Sequence, residues 1–260
     1  MPADTSETIT CEEGIVAFLD VLGFRRVVEK LPNDAGLRST FGNVLRRLAE
    51  ASRRTQDGSI QGGAKYAHFS DSIVISRHHS PITGLAEFVV VERAGALAAE
   101  LLKNGIPCRG GVARGWLHHD GGVLVGEAMV RAVELEAMAK YPRIIVQDSV
   151  GEAIRAGISN IEVGDPFFER DRDGCWIINV FADHWICPGR LQGVTPEDYA
   201  RLCQEEYARC RNAVAMSLAT EIRERGGETD AVAKLRWLAT QLNGVLAEKF
   251  HGAISAIDLT

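Results

Sequence analysis

The stretch IVAFLDVLGF, residues 15–24, is apolar except for one charged side chain, Asp20. Its length, with charged residues or glycine on both sides, predicts a central β-strand that ends in a turn. A lone carboxylate buried there is costly unless a basic group, several backbone N–H donors or a bound cation compensates its charge. Asp20 is therefore a candidate functional residue, although it could instead cap a helix that begins near Phe24.

A second carboxylate lies in the segment HFSDSIVIS, residues 68–76, which predicts two short strands around a tight Ser-Asp-Ser turn. Asp71 in that turn, taken alone, is equally compatible with an ordinary turn residue. Together with Asp20 it would form a site for hard divalent cations, which prefer carboxylate oxygen. Two such ions, roughly 4 Å apart, can activate an attacking hydroxyl and neutralise a triphosphate.

Composition limits the class of protein. The chain has 260 residues, of which 46% are hydrophobic and 25% charged, as in an ordinary soluble protein. The sequence has neither an apolar run of membrane-spanning length nor an N-terminal signal peptide, so we expect a cytoplasmic protein without membrane contact. A formal net charge of -6 argues against binding to nucleic acid. The six cysteines form no C-x-x-C pair, which favours free thiols over a zinc site.

Hydrophobic periodicity predicts alternating strands and helices up to about residue 181, and then two long helices. This order favours an α+β domain with an antiparallel sheet and helices on one of its faces. Thr195-Pro196 is typical of a helix start, and helices over about 196–225 and 229–250 would form a hairpin. The helices predicted before the hairpin cover residues 24–31, 34–54, 83–103, 126–139 and 149–156. The predicted organisation is a loose N-terminus over 1–13, a main domain over 14–189 and a helical extension over 190–260.

Four segments of the sequence resemble the class III nucleotidyl cyclases, and more narrowly the pyrimidine cyclases of bacterial Pycsar antiphage systems. They are AFLDVLGF (17–24), FSDSIV (69–74), RGGVARG (109–115) and AVELE (132–136). The resemblance extends over about residues 14–185. It implies a ferredoxin-like cyclase domain that works as a head-to-tail homodimer, with its active sites at the interface.

By this resemblance, Asp20 and Asp71 are the catalytic, metal-binding residues, and the carbonyl group of Val21 helps to hold one ion. The cofactors would be two divalent ions, magnesium or manganese. The reaction would be attack of the ribose 3′-hydroxyl on the α-phosphate, with release of pyrophosphate, which depends on positioning and charge neutralisation.

The sequence departs from the adenylyl cyclase pattern at several positions. Ser70 replaces a glycine, and Ala67 replaces the lysine that reads the base. Val130 and Glu134 stand where a transition-state asparagine and arginine are expected, so another arginine would have to neutralise the developing charge. The candidates are Arg114, Arg131 and Arg172. Arg109 could contact phosphate or could be structural.

Tyr66 and His68 are large side chains near the expected base pocket, and both can donate a hydrogen bond to the O4 atom of uracil. We therefore expect a uridylate cyclase that converts UTP into 3′,5′-cyclic UMP, a second messenger read by a separate effector in antiphage defence. One alternative is a cytidylate cyclase that makes cyclic CMP from CTP. Another is a degenerate cyclase-like protein that binds nucleotide without turnover. A diguanylate cyclase or polymerase-like palm also places acids at such positions, but the Gly-Gly-Asp/Glu-Glu-Phe turn of a diguanylate cyclase is missing.

Overall fold

The computed structural model describes residues 9–39, 41–43, 46, 63–120, 123–157, 167–187 and 194–260. The strands are β1 (Glu12–Val21), β2 (Lys65–Phe69), β3 (Ser72–His78), β4 (Cys108–Asp120), β5 (Val123–Gly126), β6 (Ile144–Val146), β7 (Phe168–Arg170) and β8 (Trp176–Ile178). The helices are α1 (Phe24–Lys30), α2 (Leu85–Leu102), α3 (Glu127–Ala139), α4 (Asp148–Gly157), α5 (Asp183–Ile186), α6 (Pro196–Arg225) and α7 (Asp230–Phe250).

All of these strands belong to one sheet, in the order β2-β3-β1-β4-β6-β8-β7, and β5 pairs with the far end of β4. The pairs are antiparallel except for β4 with β6, which is parallel. The first four strands and their two connections give the βαββαβ order of the ferredoxin-like fold. The α+β class expected from the sequence is therefore confirmed.

Strand β1 lies in the middle of this sheet because its apolar run is buried on both faces. It pairs with β3 on one side and β4 on the other, and Ile15, Val16, Ala17 and Leu19 are fully buried. Asp20 is near the end of the run, where the chain turns through Gly23, whose φ of 72° suits glycine. The strand therefore delivers one carboxylate to the end of the sheet.

The larger core lies on the face of the sheet that carries Ile15, Ala17 and Leu19. Helices α2, α4 and α5 pack there, and so does the hairpin of α6 and α7, which contributes Tyr207 and Leu238 to the same core. The hairpin begins as its sequence indicates: Thr195 caps α6 by accepting a hydrogen bond from the Asp198 N–H, and Pro196 occupies the first helical position.

The opposite face of the sheet is covered by α3. This helix packs against β4 and β1 over a small core that contains Val16, Ala113 and Ala132. The packing is close because Gly111 has no side chain: a Cβ atom there would come within 2.2 Å of the Ala132 carbonyl oxygen. The expectation that the helices share one face is therefore wrong, and α3 is the helix that lies apart from the others.

Other differences from the sequence-based expectation are local. The charged and turn-forming residues of 157–175 predict a loop, but this segment includes β7, and the last strand ends at Ile178 rather than near residue 181. Helix α5 was not expected. Of the helix predicted over 34–54, residues 35–39, 41–43 and 46 are helical, and the other positions lie outside the described residues. In the described part of the chain, no helix is long and apolar enough to cross a membrane.

Replacing Gly111 with alanine tests the close approach of α3 to β4. The added methyl group would meet the Ala132 carbonyl, so we expect Gly111→Ala to lower the free energy of unfolding by about 1–3 kcal/mol, as overpacking does. Gly244→Ala is the control, because a Cβ atom there meets nothing within 4 Å. On the exposed side of α7 it should raise stability by about 0.5–1 kcal/mol. Urea unfolding measures both, and equal stability of Gly111→Ala and wild type would contradict the packing.

Candidate functional site

Asp20 and Asp71 meet at one end of the sheet. The Asp71 carbonyl oxygen accepts a hydrogen bond from the Val21 N–H at 2.9 Å, which joins the tip of the β2–β3 hairpin to the end of β1. Asp20 lies opposite Ser72 in β3. At the hairpin tip, Ser70 has a φ of 56°, a left-handed backbone conformation that favours glycine. The two carboxylates singled out in the sequence are therefore neighbours.

A basic residue and a third acid adjoin them. Arg109, opposite Asp20 in β4, donates from Nε to Asp20 Oδ2 at 3.2 Å. The same nitrogen lies 2.5 Å from Oε1 of Glu136, which comes from α3. Burial raises the pKa of the Glu136 carboxyl, and the negative charges of Asp20 and Asp71 raise it further, while Arg109 opposes this. Two carboxylates, Asp20 and Glu136, therefore contact one guanidinium group, and the charge of Asp71 acts on Glu136 from nearby.

This donor set fits a divalent cation. The Asp20 side chain is 20% exposed and already has a cationic group against it, the guanidinium of Arg109. Asp20 and Asp71 supply the hard oxygen ligands that magnesium and manganese prefer, and the phosphates of a substrate and water could complete the coordination. Within the described residues, no cluster of three or more His, Cys, Asp or Glu residues suited to hold a metal by itself is found. Val21 follows Asp20 in the chain, and the metal contact predicted for it would be made by its backbone carbonyl oxygen.

Arg114 lies five residues beyond Arg109 on β4, about 17 Å along the strand. It points to the opposite face of the sheet, where its Nε donates to Glu13 Oε1 at 2.7 Å and its Nη1 lies 3.6 Å from Glu87 Oε1. Glu87 is 1% exposed, and its Oε2 has no hydrogen-bond partner among the residues described. Within one subunit, Arg114 is therefore the counter-ion of buried Glu87 and is remote from Asp20.

Arg131 lies on the exposed side of α3, where it contacts Glu127 at 2.6 Å and the carbonyl oxygen of Arg114 at 3.2 Å. It borders a cleft of about 370 Å³ beside the free edge of β4. Trp116, which is 60% exposed, lines the same cleft. Along β4, the residues that line this cleft, Arg114 to Trp116, follow Arg109, the partner of Asp20, by five to seven positions.

Arg172 lies in the turn between β7 and β8, where its N–H donates to Asp171 Oδ1 at 2.6 Å. The sheet order separates β8 from β1 by β4 and β6. In the same turn, Asp171 and Asp173 both pair with Arg143. The structure does not bring Arg172 near Asp20 within one subunit.

Tyr66 and His68 lie on the face of the sheet opposite to Asp20. They pair in register with Ile75 and Ile73, which belong to the large core, whereas Ala67 between them pairs with Val74 on the Asp20 face. Tyr66 and His68 were expected near the base pocket because they adjoin position 67 in the sequence. Neighbouring side chains on a strand point to opposite faces, so this nearness does not bring them to the site. Within one subunit, the position that faces the candidate site is therefore Ala67.

Glu136 is the site residue that the sequence reasoning missed. It lies in the buried stripe of α3, with Ala128, Ala132 and Ala139. Helical spacing places residues four apart on one face, so the pattern Ala128, Ala132, Glu136 puts a carboxylate among small apolar residues. A charged residue in such a stripe was the signal that could have identified it.

No protein-family model and no curated protein sequence matches the chain. Among solved structures, the chain is similar to a bacterial light-regulated adenylyl cyclase, with 14% identity, a TM-score of 0.41 and coverage of 77% of this chain and 59% of that one. It is similar to the catalytic core of a rhodopsin-guanylyl cyclase with converted specificity in complex with ATPαS, with 17% identity, a TM-score of 0.37 and coverage of 65% and 96%.

A third similar structure is a class III adenylyl cyclase-like ATP-binding protein from Pseudomonas aeruginosa, with 14% identity, a TM-score of 0.37 and coverage of 83% of this chain and 44% of that one. The chain thus spans 59% of the length of the light-regulated cyclase and less than half of the Pseudomonas protein. Identity and TM-score are low in all three, so the function proposed below rests on the residues of this chain.

Replacing Arg114 with methionine distinguishes a counter-ion from a nucleotide ligand. The change leaves the Glu87 charge buried and unpaired, so we expect a loss of about 3 kcal/mol of stability, the lower end of the range for broken buried pairs because Arg114 is partly exposed. The double variant Arg114→Met/Glu87→Gln removes both charges and should recover most of the loss. Urea unfolding measures each variant. An Arg114→Met protein with wild-type stability would contradict the counter-ion role.

Proposed function

We propose that the chain is a nucleotidyl cyclase of the class III type, which converts a nucleoside triphosphate into a 3′,5′-cyclic nucleotide and pyrophosphate. One observation carries the proposal: Asp20 and Asp71, on separate elements, meet beside Arg109 at the end of the central strands. Three of the four sequence segments that resemble this family supply these three residues, and the fourth, AVELE, supplies Glu136, which contacts Arg109. The resemblance and the geometry thus converge on the same corner of the sheet.

The residues have separate tasks in this reaction. Asp20 and Asp71, with the Val21 carbonyl, would hold two magnesium or manganese ions, which when bound acidify the ribose 3′-hydroxyl and neutralise the phosphates. The 3′-oxygen gives its proton to water and bonds to the α-phosphorus, and the bond from that phosphorus to the bridging oxygen breaks, so that its electron pair leaves with pyrophosphate. Arg109 would contact the phosphates, because its guanidinium is beside Asp20 and is a good partner for phosphate oxygen.

A head-to-tail homodimer is part of the proposal. The surface around α3 and the β4–β5 pair exposes several large apolar side chains, which suits burial against a second copy. On α3 they are Val130 and Val133. On the β4–β5 pair they are Trp116, Val123 and Val125, which alternate with Leu117 and Leu124 and therefore point away from α3. Asp20 and Arg131 are separated on the α3 side of the sheet: Asp20 is opposite Arg109, whereas Arg131 contacts the carbonyl oxygen of Arg114, five residues farther along β4. A two-fold contact that brings these two regions together would suit a site shared between Asp20 of one copy and Arg131 of the second.

The substrate we propose is a pyrimidine triphosphate, UTP ahead of CTP, so that the product is cyclic UMP for a separate effector in antiphage defence. Support comes from Ala67, which lies on the Asp20 face at the position where adenylyl cyclases have the lysine that reads their base. Tyr66 and His68 face the other side of the sheet and do not contribute to this argument. The pyrimidine preference therefore depends on the resemblance and on Ala67.

A second candidate is a cyclase-like protein that binds nucleotide without turning it over. Val130 and Glu134, in place of the transition-state asparagine and arginine, favour it, because uncompensated charge on the transferring phosphate slows the reaction. The retention of both aspartates favours the enzyme. Turnover of any one triphosphate in the presence of manganese would exclude the second candidate.

Asp20→Asn and Asp71→Asn should each lower cyclisation by at least about 100-fold, since metal stabilisation of the transition state is worth several kcal/mol and each 1.4 kcal/mol is tenfold. Both variants should remain folded, because each removes one of several like charges at the site. Asp258→Asn is the matched control, an exposed aspartate that hydrogen-bonds to Thr260. Product is quantified by liquid chromatography. Full turnover by either site variant would remove its residue from the proposed mechanism.

Val130→Glu should disrupt the proposed dimer, because it places a charge at an apolar side chain that is 58% exposed on the outward side of α3. We expect monomers in size-exclusion chromatography with light scattering, and loss of cyclisation in the same fractions. Ile82→Glu is the control, since Ile82 is 61% exposed away from this face. A wild-type protein that is active as a monomer would contradict the dimer.

Competition among ATP, GTP, CTP and UTP at equal concentrations, with manganese, tests the substrate. We expect cyclic UMP to accumulate first, because Ala67 leaves the site without the lysine that reads adenine. Mass spectrometry identifies the products. Preferential turnover of ATP or GTP would refute the pyrimidine assignment, and preferential turnover of CTP would refute only the choice of uracil.

A further inference from the structure

Arg109 is shared between two carboxylates. Its Nε lies 3.2 Å from Asp20 Oδ2 and 2.5 Å from Glu136 Oε1, and its side chain is 25% exposed. Asp20 faces the candidate metal site, whereas Glu136 approaches from α3 and its side chain is 9% exposed. One guanidinium group therefore bridges a proposed metal ligand and a buried acid.

A carboxylate at position 136 requires an explanation. Its neighbours in the buried stripe of α3 are alanines, and an apolar side chain there would avoid the cost of burying a charge. The contact that the structure gives Glu136 is the 2.5 Å ion pair with Arg109, and its Oε1 accepts no hydrogen bond from the residues described. An explanation for Glu136 must therefore begin with its contact with Arg109.

Asp20 cannot serve Arg109 and a divalent ion equally well. When an ion binds to the Asp20 carboxylate, the guanidinium loses its partner and is repelled by the ion. A second carboxylate, already in contact with the same guanidinium, can keep its charge compensated and hold it beside the site. Glu136 meets both requirements, because α3 is held against β4 over Gly111.

We propose that Glu136 is a positioning residue that holds Arg109 and thereby leaves Asp20 free to bind a divalent cation. The inference rests on the proposed function, since it takes Asp20 as a metal ligand. Without the charge of Glu136, Arg109 stays on Asp20 and competes with the ion. Glu136 thus sets the metal affinity of a carboxylate that it does not itself touch.

This inference is tested by measuring the affinity of the full chain for manganese without nucleotide, with electron paramagnetic resonance at fixed ionic strength as the readout. Glu136→Gln keeps the size of the side chain but removes its charge, and we expect its dissociation constant for manganese to rise about tenfold, which is 1.4 kcal/mol. Arg109→Gln removes the competitor and should bind manganese at least as tightly as wild type. Unchanged affinity in Glu136→Gln would overturn the inference.

The double variant Arg109→Gln/Glu136→Gln separates positioning from direct attraction. If Glu136 acts through Arg109, its replacement has little effect once Arg109 is gone, and the double variant binds manganese like Arg109→Gln. A tenfold loss that persists in this background would mean that Glu136 attracts the ion itself, and would overturn the positioning role. The double variant is a neutral pair, so this comparison remains decisive even if Glu136→Gln alone does not fold.

The variant Asp20→Asn distinguishes a failure of the proposed metal site from a failure of the role assigned to Glu136. If Asp20→Asn weakens manganese binding but Glu136→Gln does not, the metal site stands and only the role of Glu136 is lost. If Asp20→Asn binds manganese as wild type does, the metal site of the proposed function is wrong, and the inference about Glu136 is wrong with it. Circular dichroism of each variant reports whether it is folded.

Discussion

The lack of side chains at two adjacent glycines of β4 is the constraint on which the rest of the structure depends. A Cβ atom on Gly110 would come within 2.5 Å of the Phe18 carbonyl oxygen, and one on Gly111 within 2.2 Å of the Ala132 carbonyl oxygen. Strand β4 can therefore lie close to β1 on one side and to α3 above. That double approach brings Arg109, Asp20 and Glu136 together, although they come from three different elements.

Much of this could be predicted from the sequence, because the strongest signals were local. The apolar run that ends in Asp20 and the turn at Asp71 identified both carboxylates, and Thr195 marked the start of the hairpin. Side-chain direction on the short strand β2 was not predicted, because placing Tyr66 requires knowing which face of β2 points to the site. Glu136 was missed for a related reason, since its partner Arg109 is distant in sequence and only the packing of α3 joins them.

The charged groups on the α3 side of the sheet form two separate clusters. Asp20 and Glu136 share the guanidinium of Arg109, while Arg131, farther along β4, pairs with Glu127 beside the cleft near Trp116. Arg114, which the sequence grouped with these arginines, serves buried Glu87 on the opposite face instead. A single subunit therefore has the proposed metal ligands and an exposed arginine in separate places, which is the arrangement expected if each half of a site comes from a different copy.

The hairpin of α6 and α7 has a consequence for how the protein is made. Tyr207, Leu218 and Leu242 are buried in the same core as Ile15 and Ala17 of β1, nearly two hundred residues earlier in the chain. During synthesis, the first strand leaves the ribosome long before the hairpin that completes its core. Contacts between segments so distant in sequence form slowly. The large core is therefore complete only after the hairpin has been synthesised and has docked.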